Sequence, residues 1–246
     1  MTSSTALRPI DLAPTNDDLN RELQQRAANW RANPAMRTLI DDYTKSHVVL
    51  AIAAGVVTVL CGAAAWRLWL RTARAPHVGP PTWTREKRLY AVAAACCTML
   101  GLLFALLAAA NVSNAADPVP GFVAASAHPT PNSLAVDSAV IRWVQSGNDG
   151  LPPLVQQQVD GRRAWQLPKA IVCGLLMVGA AILLVRWWRL LVRRARARDV
   201  GQPVSLRGPF AASVAVSMVL LLTMVMFLGN LQGSIAPVAI SVLGGS

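Results

Sequence analysis

The sequence predicts an all-α integral membrane protein: four transmembrane helices arranged as two tandem, same-orientation helical hairpins, flanked by amphipathic outer segments. Three observations carry this. Of the 246 residues, 54% are hydrophobic and 14% charged, whereas a soluble domain has about 25% charged residues. The apolar residues gather into four runs close to the roughly 20 residues needed to cross a hydrocarbon core. Two basic stretches, one after the first run and one after the third, repeat each other at a fixed spacing. The same composition speaks against a soluble globular domain, a disordered chain and a disulfide scaffold.

The runs are expected at 47–65, 89–110, 170–185 and 209–229. They divide the chain into an outer N-terminal helical tail (1–46), a first transmembrane hairpin (47–111), an outer loop with short helices (112–169), a second hairpin (170–230) and an outer interfacial tail (231–246). No Asp, Glu, Lys or Arg falls inside the runs. Thr58, Thr98, Ser213, Ser217 and Thr223 interrupt them, and such hydroxyls can bond locally or across helices. The third run reaches full length if it extends through Leu190, Leu191 and Val192, with Arg186 and Arg189 snorkelling to the phosphates. The first run follows twelve charged residues, so it is not expected to be a cleavable signal.

The net charge of +11 is unevenly placed. The stretch 1–46 holds six basic and six acidic residues, and 112–169 holds four of each. The stretch 66–88 holds six basic residues and one acid, and 186–208 holds seven and one. Basic loops stay in the cytoplasm, which places both short loops inside and both termini outside. Trp66, Trp69, Trp187 and Trp188 fall at the inner ends of spans one and three, as interface anchors.

Residues 66–85 and 188–207 agree at eleven of twenty positions at a constant offset of 122, including Trp66/Trp188, Arg67/Arg189, Gly79/Gly201 and Arg85/Arg207. Fixed-period self-similarity is the mark of an internal repeat. Each copy would cross the membrane twice, so the two hairpins should be related by an axis along the membrane normal. The shared Val-Gly-x-Pro of 78–81 and 200–203 should stop the inward helix of each copy.

Arg67, Arg71 and Arg74 are spaced i, i+4, i+7, and Arg189, Arg193 and Arg196 repeat the spacing. On helices continuing inward from spans one and three, each trio forms a stripe. The plain reading is that these arginines hold the loops inside. The sharper one is contact with an anionic lipid headgroup at the inner interface, since clusters of four to eight basic residues beside a span suit that chemistry.

The outer segments carry amphipathic helices. Asn16, followed by Asp17 and Asp18, starts one along which Leu19, Leu23, Ala27 and Trp30 are spaced, and Asn33-Pro34 should end it. Met36, Leu39, Ile40 and Tyr43 form a stripe leading into span one. Residues 118–131 should be irregular. Leu134, Val140, Ile141 and Val144 share a helical face ended by Gly147, and a short helix should cover 154–159 before Pro168. These pieces could cap one another, lie on the bilayer or dock a partner.

Catalytic and metal chemistry is not expected. Cys61, Cys96, Cys97 and Cys173 all fall in apolar runs without zinc-ligand spacing, and His47, His77 and His128 sit in three different segments. No cofactor is expected, and no nucleic acid. Twenty Arg against three Lys, with abundant Ala, suggest a bacterial protein, hence a multi-pass protein of the plasma (inner) membrane. The expected class is non-enzymatic: an accessory or scaffold subunit of an envelope-embedded complex, whose partners are the bilayer, anionic lipid, other membrane subunits or a second copy. The alternative is a small channel or transporter formed by oligomerisation of the four-helix bundle.

Overall fold

A computed structural model describes residues 16–74, 83–127 and 133–243. The described residues are predominantly helical, with no strands among them. In chain order the helices are α1 (Asn16–Ala27), α2 (Pro34–Arg74), α3 (Arg85–Ala116), α4 (Pro118–Ser126), α5 (Leu134–Ser146), α6 (Pro153–Asp199), α7 (Arg207–Ile235) and α8 (Pro237–Leu243), with a 3-10 turn at Trp30–Ala32. Helices α2, α3, α6 and α7 are long and apolar enough to cross a membrane.

The chain separates into two compact units. One gathers the described residues up to Tyr43, together with Asp117–Arg162 and the stretch from Ala236. The other gathers Thr44–Ala116 and Arg163–Ile235, and so contains all four apolar runs.

The first unit has a core of its own. Leu19 and Leu23 of α1, Met36, Leu39 and Ile40 of α2, Phe122 of α4, Val140 and Val144 of α5, and Val155 of α6 are fully buried in one cluster. Burying each such side chain contributes about 1.5–3 kcal/mol. Helix α1 packs on α4 and α5, and Tyr43 meets Phe122 edge to face with ring centroids 5.8 Å apart. The amphipathic pieces thus cover one another's apolar stripes. The uncharged C-terminal stretch, expected as an interfacial tail, forms α8, and its Val238, Ala239 and Val242 join this core. The Asp42 carboxylate, itself buried, accepts the Val238 and Ala239 amides at 2.8 and 3.0 Å and so caps α8.

Several local expectations are corrected. Helix α1 ends at Ala27, and Trp30 lies in the 3-10 turn. Asn33-Pro34 opens α2 rather than closing α1: Asn33 Oδ1 accepts the Met36 amide at 3.1 Å, and Pro34 takes the first helical position, where a missing N–H costs nothing. Residues 118–126 are helical, because Pro118 and Pro120 both fall in the first turn of α4; residues 128–132 lie outside the described residues. On α5, Leu134 is exposed while Val136 and Trp143 are buried beside Val140, Ile141 and Val144. Gly147 does end that helix, with φ +66° and its amide bonded to the Trp143 carbonyl at 3.0 Å. Pro168 interrupts nothing: α6 is one helix from Pro153 to Asp199, so the short helix expected over 154–159 and span three are a single element. The stripe of Met36, Leu39, Ile40 and Tyr43 does lead into span one, since α2 is continuous from Pro34 to Arg74.

In the second unit the hydroxyls of the spans bond locally. Thr58, Thr98, Ser213, Ser217 and Thr223 each donate to the carbonyl four residues earlier at 2.8–2.9 Å, which removes their need for water. Contacts between α2 and α3 include His47 Nδ1 to Asn111 Oδ1 at 2.7 Å, Gly101 against Cys61, and Trp69 Nε1 donating to Thr98 Oγ1 at 3.4 Å. Between α6 and α7, Gly174 sits beneath the Phe227 ring, and Arg163 donates to the Ser234 carbonyl at 3.4 Å. Of the small residues in the spans, Ala170 is buried, but Gly55 has no neighbour within contact distance of its face. Only 11–17% of each apolar window is buried inside the chain. Most of the apolar surface of the spans therefore needs lipid or another protein to cover it.

Candidate functional site

Helices α2 and α6 continue past their apolar runs to Arg74 and Asp199, carrying the two arginine trios on helical backbone. The end of α6 is a double-bonded glycine stop. Gly201 adopts φ +87°, its amide reaches the Arg198 carbonyl at 3.2 Å, and the Gln202 amide reaches Ala197 at 3.1 Å. This is the Schellman arrangement. The corresponding stop expected at 78–81 lies outside the described residues.

Within the second unit, the ends of α2 and α6 and the start of α3 enclose a cavity of about 770 Å³. Five of the six stripe arginines line it: Arg71, Arg74, Arg189, Arg193 and Arg196. Arg67 does not line it and is exposed. Of the four tryptophans expected as interface anchors, Trp188 alone joins the lining. Trp66 is largely exposed, Trp69 is exposed and bonded to Thr98, and Trp187 is half-buried. Trp66 and Trp188, aligned by the proposed repeat, therefore have different surroundings.

Two carboxylates shape the cavity, and they act reciprocally. Asp199, at the end of α6, accepts the first amides of α3, from Arg85 at 3.2 Å and Glu86 at 3.3 Å. Glu86, in the first turn of α3, pairs with Arg196 of α6 at 2.6 Å. Thr84 adds a cap, accepting the Lys87 amide at 3.2 Å through its buried hydroxyl. An acid at a helix N-terminus meets the positive end of the macrodipole, so both carboxylates are placed favourably. The Glu86 side chain is 10% exposed and the Arg196 side chain 60%; solvent screens one end of that pair, and its value lies in fixing α6 against α3.

An aromatic wall completes the lining. The Arg71 guanidinium lies 5.8 Å from the centre of the Tyr90 ring, a cation–π distance. Tyr90 is buried and packs on Trp188 with centroids 6.4 Å apart. The lining thus holds five guanidiniums against two carboxylates, an excess of three positive charges. Among the described residues, Arg71, Arg74, Arg189 and Arg193 have no carboxylate within ion-pair distance. Guanidinium forks in this number suit a phosphate, which they can grip bidentately.

Glu86, Asp199, Thr84 and Tyr90 were not anticipated from the sequence. The available signal was that Glu86 and Asp199 are the single acids of their two basic segments. Elsewhere, His47 is engaged with Asn111, whose amide also donates to the Leu107 carbonyl at 2.8 Å. His77 and His128 lie outside the described residues. The four cysteines are free thiols.

No family model, curated protein or solved structure matches the chain.

Proposed function

We propose that the chain is a non-enzymatic multi-pass protein of a bacterial plasma membrane, serving as an accessory or scaffold subunit of an envelope-embedded complex. One observation carries this reading. The chain divides into a folded unit with its own apolar core, assembled from three separated stretches, and a set of spans that bury little of their surface on one another. A compact folded unit is suited to presenting surfaces, and span faces not used internally are available to the spans of other subunits.

The proposed topology is two tandem hairpins in the same orientation, with 66–88 and 186–208 in the cytoplasm and the remaining segments outside. The contacts between α2 and α3 pair the early part of one with the late part of the other, which supports the first hairpin. Those between α6 and α7 do the same for the second. The side assignment rests on the basic excess of the two loops.

The test is purification in mild detergent, with the composition of the particle measured by mass after size exclusion. A foreign membrane subunit retained at fixed stoichiometry is the expected result. A homogeneous homo-oligomer with no other subunit would contradict the scaffold role and favour a channel or transporter built from copies of this chain.

A further inference from the structure

We propose that the arginine-lined cavity of the second unit is a binding site for a phosphate-bearing anion of two or more negative charges. The ligand is either a lipid headgroup or a soluble phosphate of the same chemistry. The proposal rests on the reading that α2, α3 and α6 span a membrane. It is independent of the scaffold role and of which side the basic loops face.

Four guanidiniums without carboxylate partners converge from two helices into one concavity. Like charges gathered this way repel one another, and extended arginines at helix ends could swing apart into solvent. The fold instead holds their backbones together. Asp199 ties the end of α6 to the start of α3, Glu86 returns the tie through Arg196, and Arg71 rests on the Tyr90 ring. The two acids are occupied with amide and guanidinium donors, so they brace the cavity while leaving its excess of positive charge in place.

Size and position narrow the ligand. A volume of about 770 Å³ lies within the range of small-molecule sites and exceeds what a single phosphate group would fill. Arg71 lies six residues beyond Ala65 and Arg189 four beyond Val185, about 9 and 6 Å along a helix axis. That is the depth of a headgroup phosphate when the apolar runs fill the hydrocarbon, and basic pockets between spans bind multiply charged headgroups. An anion carrying two phosphates could engage α2 through Arg71 and Arg74 and α6 through Arg189 and Arg193.

The experiment uses the full-length chain, delipidated in mild detergent. Native mass spectrometry with defined lipids compares a two-phosphate lipid (diphosphatidylglycerol), a one-phosphate lipid (phosphatidylglycerol) and zwitterionic phosphatidylcholine. Calorimetry with inorganic pyrophosphate forms the soluble arm. Tight, saturable binding is expected for a two-phosphate species, at least about tenfold above phosphatidylglycerol, with none for phosphatidylcholine. Binding of the two-phosphate lipid without pyrophosphate identifies a headgroup. Comparable binding of pyrophosphate identifies a soluble ligand.

The decisive variant is Arg71→Lys/Arg189→Lys/Arg193→Lys, which keeps every charge and removes three forks. Its affinity should fall about tenfold with unchanged elution and melting. The control Arg186→Lys/Arg198→Lys alters exposed arginines outside the cavity and should bind as the parent does. Equal affinity for one- and two-phosphate lipids together with no pyrophosphate binding would overturn the proposal. So would undiminished binding by a folded triple-lysine variant.

Discussion

Single side chains in the first unit join helices that are far apart in sequence. Asp42 holds the amides of Val238 and Ala239 from a buried position. Each hydrogen bond to a charged group contributes about 1.5–3 kcal/mol. Asp42→Ala is expected to cost about 2–4 kcal/mol and to expose the C-terminal helix to protease, with Asp42→Asn milder because one oxygen still accepts; thermal melts and limited proteolysis of the purified protein check both. Asn33 is a second such residue, its Oδ1 on the Met36 amide at 3.1 Å and its Nδ2 on the Val144 carbonyl at 2.7 Å. Phe122 is fully buried against Tyr43, and Phe122→Ala should destabilise the unit by about 3–5 kcal/mol through the cavity it leaves. None of these partnerships was legible in the sequence. Asp42 and Val238 are 196 residues apart, and nothing local distinguishes Asp42 from the exposed Asp41 beside it. The apolar stripe of Met36, Leu39, Ile40 and Tyr43 was legible, because helical spacing marks the face that must be covered.

Local backbone chemistry decides where the helices stop, and here sequence reading succeeded at glycine and failed at proline. Gly147 and Gly201 both occupy left-handed backbone at helix ends, the conformation that glycine alone adopts at little cost. Gly201→Ala should lower stability by about 1 kcal/mol. A Cβ at Gly201 would meet nothing within contact distance, so backbone strain alone sets the effect. Gly208→Ala, in the first turn of α7 and equally open, should be neutral or slightly stabilising. Prolines misled because their meaning depends on position. Pro34 and Pro118 sit at helix starts, where no donor is missed, while Pro168 lies inside α6. A helix-interior proline costs up to about 3 kcal/mol relative to alanine, so Pro168→Ala should raise the melting temperature if α6 is continuous. A loop at that position would show no gain. The continuity was hidden because the pattern changes along α6 from an amphipathic start to an apolar run, which reads as two elements.

Over the whole molecule, the apolar runs and the charge asymmetry were legible because length and hydropathy are additive properties of a segment. The cavity was only half legible: spacing put the arginines on stripes, but the bracing contacts run between α3 and α6, with Asp199 bonded to amides 114 and 113 residues away. In the proposed duplication, the stretch aligned at the offset of 122 puts Arg196 on Arg74 and Asp199 on His77, so the first copy has no acid equivalent to Asp199. Superposition of an experimental structure should then overlay span one on span three after a rotation near half a turn about the membrane normal. The accessibility of single cysteines in intact cells checks the proposed topology. With the native cysteines replaced, one cysteine is placed at Asn148 in the first unit, and another at Val200, which is 77% exposed beyond the end of α6. An impermeant thiol reagent should label Asn148→Cys in intact cells and Val200→Cys only after the membrane is opened. Labelling of Val200→Cys with protection of Asn148→Cys would reverse the orientation, and equal labelling of both in intact cells would contradict an α6 that spans the membrane.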